Sequence, residues 1–148
     1  MATLRDRVAD RDAESFVGRG TELDLFERVL GGEDRARIVF VHGPGGIGKS
    51  TLLREVVRRA RRRGYAAIWV DGREIAPFPQ QIENMVAEIT EARPAIVVFD
   101  SYELIASLDG SLRDVIVPDL PDATVVVFAS RQPPARGWFE GGWATLVR

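Results

Sequence analysis

A glycine-rich stretch between an apolar run and an amphipathic run constrains this sequence more than any other feature. Residues 43–50 read GPGGIGKS, which matches the pattern G-x-x-x-x-G-K-[ST]. The preceding run ARIVFVH (36–42) predicts a buried strand, and residues 49–63 place apolar side chains on one stripe of a helix. A strand, a glycine loop and a helix in this order form a backbone cradle for an anion at the start of the helix. The sequence therefore predicts a phosphate-binding P-loop.

The residue types in the loop suit that role. Gly43, Gly45, Gly46 and Gly48 let backbone N–H groups approach an anion and permit positive φ. Lys49 is the single lysine among 20 basic residues. Its compact ammonium is suited to reach between β- and γ-phosphates, where the planar guanidinium of arginine fits poorly. We therefore expect Lys49 to contact the transferred phosphate and to act in catalysis.

The remaining loop positions complete the predicted nucleotide site. Ser50 offers a hydroxyl to Mg²⁺, and Thr51 is placed to contact the α-phosphate. Pro44 and Ile47 lie between the glycines and belong to the same phosphate-binding segment. A glycine-rich turn with an incidental lysine is the alternative, and the correct strand, spacing and helix disfavour it.

Apolar runs and helical periods alternate along the whole chain. Further strands are predicted at 66–71, 95–100 and 123–130, with a fifth at 144–148; helices are predicted at 21–30 and 79–92. Strands that are apolar throughout and separated by helices predict a three-layer α/β sandwich around a parallel sheet. Ligands bind such sheets at the carboxyl ends of the strands. That rule marks a rim of polar residues at His42, Asp71, Asp100, Ser130 and Arg131.

Two residues of this rim, and one that follows it closely in sequence, are candidates for metal binding and catalysis. Asp100 ends the apolar strand AIVVFD and is predicted to hold Mg²⁺ through water; the alternative is a strand-end cap. Glu103 follows three residues later and could orient the attacking water, unless it is a solvated helix acid. Arg131 could contact the γ-phosphate and sense its presence; the alternative is a surface arginine.

Composition excludes several other classes of function. The 148 residues contain no cysteine, which excludes disulfides and zinc–thiolate sites, and the longest apolar runs are far below the ~20 residues of a membrane helix. The net charge of −2 gives no global positive field, so direct nucleic-acid binding is not expected. The arginine run RRARRRG (58–64) is interpreted as a solvated helix face. These features, with a charged first segment, favour the cytoplasm.

Several segments together resemble one family. FVGRGTEL (16–23) is similar to the F-V-G-R-E-x-E-L box of STAND ATPases (signal-transduction ATPases with numerous domains) and related AAA-type proteins. GPGGIGKST resembles their Walker A motif, and VVFDSYELI and VVFASR resemble their Walker B and sensor-1 segments. Bacterial members, including large LuxR-type regulators, look most similar.

This resemblance implies a P-loop NTPase fold with a five-stranded sheet of order 5-1-4-3-2. It implies ATP or ADP with Mg²⁺ as ligands, and places Val17, Gly18 and Arg19 against the adenine. By the same resemblance, residues 43–51 hold the phosphates, Asp100 the metal, and Arg131 is sensor 1.

The sequence departs from the family pattern at two residues and in its length. Gly20 replaces the usual glutamate of the first box, and Ser101 replaces the second acid that often follows the Walker B aspartate. Glu103 is then the better candidate for the base, and hydrolysis is expected to be slow. We expect a charged N-terminal segment (1–15) and a nucleotide-binding domain (16–148) that lacks the lid and winged helix of the family. The chain is then either part of a longer protein or an unusually short one, with further C-terminal domains or self-association as its expected partners.

The sequence thus favours an ATP-binding, slowly hydrolysing switch domain of a signal-transduction ATPase, with weak Mg²⁺-dependent activity in isolation. A DNA-associated AAA-type ATPase is the main alternative, because its nucleotide site would look similar. A small-molecule P-loop kinase is a weaker alternative, since no arginine-bearing lid insert is visible. A GTPase is disfavoured because the guanine-reading N-K-x-D motif needs a second lysine.

Overall fold

The computed structural model describes residues 3–4, 20–44 and 48–148. Residues 102–119 form consecutive short 3₁₀, α and π turns, here called the helical connection. Near the C-terminal end of the described chain lie two short 3₁₀ helices, Arg136–Phe139 and Gly141–Thr145. The main elements in chain order are α1 (Gly20–Leu30), β1 (Ile38–His42), α2 (Lys49–Arg62), β2 (Ala66–Asp71), α3 (Pro79–Val86), β3 (Ala95–Asp100) and β4 (Thr124–Ser130).

The four strands form one parallel sheet in the order β1-β4-β3-β2. The register pairs His42 with Ser130 and Asp71 with Asp100, so the polar strand ends lie along one edge. Every residue of β3 and β4 is buried, as apolar central strands require. The predicted α/β fold with a parallel sheet is confirmed, and so is the shared rim at the carboxyl ends of the strands.

The predicted fifth strand is wrong, and the strand order therefore differs from 5-1-4-3-2. Residues Gly141–Thr145 form a 3₁₀ helix, in which the N–H groups of Leu146 and Val147 both donate to the Trp143 carbonyl. Among the described residues, a single parallel bridge joins Val147 to Ile38 in place of a strand ladder. Residues 146–148 nevertheless bond to the backbone of β1 along its outer side.

Helices pack on both faces of the sheet. One core cluster joins α1 and α2 to the sheet, and the other joins α3, the helical connection and the buried Trp138 to the opposite face. The predicted helix 79–92 is shorter than expected, because α3 ends at Val86. Ile89 N–H then bonds to the Val86 carbonyl in a tight turn while the Ile89 side chain still packs on the core. In the described ranges, no helix is long and apolar enough to cross a membrane.

Candidate functional site

The ends of the glycine loop lie at the junction of β1 and α2. Gly48 adopts φ 74°, a left-handed conformation that glycine tolerates, and its carbonyl accepts the first bond of the helix, from Leu52 N–H. No described side chain caps α2, and the first N–H groups of a helix have no partner within the helix itself. A helix start of this kind attracts anions because unpaired N–H groups and the helix dipole both point at the ligand.

Lys49 is the first residue of α2, and its side chain bends back over the loop. Its Nζ donates hydrogen bonds to the carbonyl oxygens of Gly43 and Pro44, both at 2.9 Å. The ammonium therefore lies beside the loop, and its predicted contact with the β- and γ-phosphates stays a prediction. Gly45, Gly46 and Ile47, also predicted to bind phosphate, lie outside the described residues, as do Val17, Gly18 and Arg19.

Ser50 and Asp100 meet although they are 50 residues apart in sequence. Ser50 Oγ donates to Asp100 Oδ2 at 2.9 Å, and Asp100 Oδ1 accepts the Ser101 N–H at 2.9 Å. Asp100 is only 5% exposed. Ser101 has φ 53° and ψ 44°, a left-handed conformation that costs energy in a residue with a Cβ. This tight turn directs the chain away from the sheet immediately after the carboxylate.

The donor set at this point fits Mg²⁺. Hydroxyl and carboxylate oxygens are the ligands that Mg²⁺ prefers, and in nucleotide sites it takes one or two protein oxygens with phosphate and water. Ser50 and Asp100 supply two such oxygens within hydrogen-bond distance of each other. Among the described residues, no group of three or more His, Cys, Asp or Glu side chains could hold a metal ion without other ligands. The arrangement thus suits a metal that arrives with a phosphate.

Thr51, which is predicted to contact the α-phosphate, bonds to a neighbour on α2. Its Oγ1 accepts a hydrogen bond from Arg54 Nη2 at 3.1 Å, one turn further along α2. The hydroxyl accepts this bond, so its own O–H can still donate to an α-phosphate at the first turn of the helix, and the contact stays a prediction.

Glu103 and Arg131, which follow the central strands β3 and β4, are brought together at the rim. Arg131 Nε lies 3.8 Å from Glu103 Oε1, while Glu103 Oε2 is buried and has no hydrogen-bond partner among the residues that the structure describes. The Arg131 side chain is 66% exposed, so the pair is loose and open to solvent on one side. A buried carboxylate oxygen without a partner has the capacity to accept a hydrogen bond from water.

The end of β2 contributes to a cavity and an ion pair that were not predicted from the sequence. An open cavity of about 500 Å³ lies beside Ser50 and Asp100 and is also lined by Asp71 and Arg73. Arg73 Nη2 lies 3.0 Å from Asp71 Oδ2, and this hydrogen-bonded guanidinium holds the pKa of Asp71 below its usual value. Strand-end position marked Asp71 as a rim residue, but no sequence signal indicated that Arg73 turns back onto it.

Gly72 explains why this strand end lies so close to the metal side of the site. Its N–H donates to the Asp100 carbonyl at 2.8 Å, and a Cβ added to it would lie 2.3 Å from the Ser101 carbonyl oxygen. Only glycine allows this approach of the two backbones.

Comparison with known sequences finds partial relatives. RecA of Legionella pneumophila (strain Corby) is 25% identical over 129 residues, which covers 82% of this chain and 37% of RecA. The DNA repair protein RadA of Mycobacterium tuberculosis (strain ATCC 25618 / H37Rv) is 28% identical over 109 residues, which covers 59% of this chain and 23% of RadA. The chain therefore spans well under half the length of these curated relatives.

Comparison with solved structures finds the same general fold. The Thermotoga maritima RuvB Holliday junction branch migration motor matches with a TM-score of 0.51 at 16% identity, over 78% of this chain and 38% of RuvB. A structure of Drosophila ORC bound to poly(dA/dT) DNA and Cdc6 matches with a TM-score of 0.50 at 12% identity, over 97% of this chain and 29% of the matched chain. At such identities the likeness concerns the fold alone.

A family profile described as an AAA ATPase domain matches residues 15–136. The match includes the glycine loop, α2, the strand that ends in Asp100, and β4 with Arg131. Because it covers more than half of the chain, this protein belongs to the AAA ATPase domain family.

Proposed function

We propose that this chain is an ATP-binding switch domain that holds Mg²⁺–nucleotide at residues 43–51 and hydrolyses ATP slowly. The observation that carries the proposal is the 2.9 Å hydrogen bond from Ser50 Oγ to Asp100 Oδ2. It joins the first turn of α2 to the end of β3, so a hydroxyl and a carboxylate converge beside the glycine loop. Lys49, the preceding residue, adds the positive charge that phosphates require.

Nucleotide binding would exchange the partners of Lys49. Its ammonium now donates to two neutral carbonyl oxygens, those of Gly43 and Pro44. Hydrogen bonds to charged phosphate oxygens are stronger than those to neutral carbonyls, so a phosphate competes well for the same ammonium. Bound Mg²⁺ would supply charge neutralisation on the phosphates, with Ser50 and Asp100 as its protein-side oxygens.

Slow hydrolysis is proposed from the residues beyond Asp100. Serine at position 101 provides no second carboxylate next to the metal side, and Ser101 instead forms a tight left-handed turn. Glu103 is the proposed base, since its buried Oε2 is free to accept a hydrogen bond from water. Arg131, paired loosely with Glu103, is proposed as the sensor of the γ-phosphate. A bound γ-phosphate would then draw Arg131 away from Glu103 and change the position of the base.

The switch role extends the family assignment. Following the resemblance to signal-transduction ATPases, we assign the adenine contact to residues 17–19 and the nucleotide-binding domain to 16–148. The output would pass to further domains of a longer protein or to another copy of the chain. The proposed setting is the cytoplasm, where ATP and Mg²⁺ are abundant.

A DNA-associated ATPase is the second candidate, and the comparisons favour it over a kinase. RadA is named a DNA repair protein, and RuvB a Holliday junction branch migration motor. This hypothesis is tested by fluorescence anisotropy with a labelled DNA duplex, at 50 and 200 mM salt and in the presence of ATP. Binding that falls steeply with salt would support it, because phosphate contacts release counterions.

Isothermal titration calorimetry with ADP and Mg²⁺ tests the main proposal. A hydrogen bond to a charged group is worth about 1.5–3 kcal/mol, so Lys49→Ala should raise Kd roughly 10- to 100-fold. Arg28→Ala removes an exposed cation from α1 and serves as the control, with unchanged affinity. Equal affinities of the wild type and Lys49→Ala would contradict the proposed site.

A further inference from the structure

Strand β2 forms one margin of the sheet, and no described strand pairs with its outer side. The N–H groups of Ala66 and Gly72 donate to carbonyl groups on the β3 side, at 2.9 and 2.8 Å. Because backbone groups alternate in direction along a strand, the N–H and C=O groups of Ala67 and Trp69 point to the open side. The opposite margin of the sheet differs, since residues 146–148 bond to β1 there.

A groove of about 650 Å³ runs between this open edge and helix α2. Its apolar lining consists of Val57 from α2 and Ala67, Ile68 and Trp69 from β2. The three strand residues are each partly exposed although they also contact the core clusters. An apolar strand with open backbone groups is a template for pairing with another strand, and natural proteins usually block such edges with charges, prolines or bulges.

The helical side of the groove is strongly basic. Arg54, Arg58, Arg61 and Arg62 line it, at spacings that place them on one face of α2. Arg58 bonds to Glu55, with Nε 2.8 Å from Oε2. Arg61 and Arg62 form no ion pair with any other residue that the structure describes. Four arginines against one glutamate give this face a positive charge on a chain whose net charge is −2.

We propose that this groove binds an extended polypeptide segment of a partner protein, which carries acidic side chains at alternate positions and adds a strand to the outer edge of β2. Backbone hydrogen bonds to Ala67 and Trp69 provide affinity, as in other complexes formed by strand addition. Side chains that face α2 meet Arg61 and Arg62, and the alternate side chains lie beside Ile68 and are apolar. Successive side chains of a strand point to opposite faces, so alternating acidic and apolar residues match a groove with positive charge on one face and apolar surface on the other.

The observations favour a peptide over nucleic acid or a second copy of this chain. Single-stranded nucleic acid binds on several exposed aromatic rings, whereas this groove has only Trp69, which is partly packed on the core. Open N–H and C=O groups spaced two residues apart match a peptide backbone. Pairing of β2 with β2 of another copy would bring two arginine-rich faces together, and the β1 edge is already bonded to residues 146–148.

Fluorescence anisotropy with the labelled peptide (Glu-Val)₄ and the full chain tests the proposal. We expect saturable binding that weakens about tenfold or more in the double variant Arg61→Glu/Arg62→Glu, because the charge pairing is reversed. The double variant Arg28→Glu/Arg35→Glu changes the net charge equally at exposed positions outside the groove and should bind as the wild type does. Lys49→Ala should also bind the peptide normally, which separates this site from the nucleotide site.

A second probe distinguishes strand addition from simple charge attraction without altering the protein. A (Glu-Val)₄ peptide with N-methyl groups at alternate residues keeps every charge but cannot donate the edge hydrogen bonds, so its affinity should fall about tenfold or more. Absence of saturable binding, or equal binding of the two peptides, would overturn the proposal. Displacement of the peptide by the oligonucleotide dT₂₀, with the same dependence on Arg61 and Arg62, would assign the groove to nucleic acid instead.

Discussion

Replacement of Asp109 by alanine should remove the polar centre that holds the helical connection against the C-terminal 3₁₀ turns. Asp109 Oδ1 accepts hydrogen bonds from Tyr102 Oη–H at 2.6 Å and from Trp138 Nε1–H at 2.8 Å. Asp109 Oδ2 accepts one from Arg113 Nη1 at 2.7 Å. Trp138 is fully buried and Tyr102 nearly so. Burial, reinforced by the bond to Asp109, raises the pKa of the Tyr102 hydroxyl, which therefore stays a donor.

The magnitude follows from the two buried donors. In Asp109→Ala, the indole N–H and the phenol O–H lose the acceptor that they share, and each unsatisfied buried donor costs about 1–3 kcal/mol. Arg113 is 21% exposed and lies 3.5 Å from Asp114, so it can turn towards water and adds little. With partial entry of water, we expect a loss of about 3 kcal/mol. A chain of this length loses about 2–4 °C in Tm per kcal/mol, so Tm should fall by roughly 6–12 °C.

Differential scanning calorimetry of the wild type and two alanine variants measures this effect. Asp119→Ala removes an exposed carboxylate from the same helical connection and is the matched control, with a Tm near that of the wild type. If Asp109→Ala melted within about 1 °C of the wild type, the buried donors would have found other acceptors. The reasoning from unsatisfied hydrogen bonds would then be refuted.

Three further substitutions test other parts of the structure. Gly72→Ala places a Cβ 2.3 Å from a backbone oxygen and should lower the free energy of unfolding, measured in urea, by about 1–3 kcal/mol. Gly110→Ala is the control, because a Cβ at Gly110 meets open space. Equal effects of the two substitutions would contradict the close approach at Gly72. Hydrogen bonding to Arg63 holds the pKa of Glu27 below its ordinary 4.5, so Glu27 stabilises the fold above that pH and the contribution is lost as the pH falls through its lowered pKa. In urea melts, the free energy of unfolding of Glu27→Gln should therefore be about 0.5–1 kcal/mol below that of the wild type at neutral pH, and the difference should shrink in acid. A difference that does not depend on pH would count against the ion pair. In phosphate-release assays the wild type should turn over well below the ~10 s⁻¹ typical of enzymes, and Glu103→Gln slower still with unchanged ADP affinity; undiminished turnover would exclude Glu103 as the base.

Local rules were enough to predict the strands and the helix that carry the candidate nucleotide site. Glycine spacing between a strand and a helix identified the loop, and a polar residue at the end of an apolar strand identified Asp100. The hydrogen bond between Ser50 and Asp100 then follows from topology, because parallel strands bring their carboxyl ends to one edge. No long-range side-chain information was needed for these residues.

The Asp109 centre could not be predicted in this way. Its partner Trp138 lies 29 residues away in sequence, and the two are separated by β4, which lies inside the sheet. In the sequence, Asp109 is one of many acids, and Trp138 lies in a glycine-rich segment typical of a surface loop. Only the folded chain shows that the indole is buried against the ring of Phe128, at a centroid distance of 5.3 Å.

The error at the C-terminus has a physical cause. The run ATLVR has the composition of a strand, but Trp143 packs against Trp138 with ring centroids 5.2 Å apart. That contact favours a 3₁₀ turn through Thr145, and the backbone bonds to β1 begin after it, at Leu146. Tertiary packing of one aromatic residue thus overrides the local strand preference.

The arginine run at the end of α2 shows both the use and the limit of helical periodicity. Periodicity correctly placed the run opposite the apolar stripe of α2. It could not show what lies across from each arginine in the folded chain: Arg59 and Arg63 bond to Glu27 on α1, whereas Arg61 and Arg62 face the groove beside β2. The interpretation as a uniformly solvated face is therefore too simple, because one helix carries two basic surfaces with different neighbours.

The distribution of cations along α2 follows from the chemistry at each end. At its first residue the cation must fit between two oxygen atoms in a tight loop, and Lys49 does so as a compact point charge, 2.9 Å from each. In the last turn, Arg59, Arg61 and Arg62 lie where the negative end of the helix dipole favours cations. Their forked guanidinium groups are suited to carboxylates presented from a neighbouring surface, which is what Glu27 provides on one side. The same donor geometry on the other side of α2 is the physical reason to expect carboxylates in the groove beside β2.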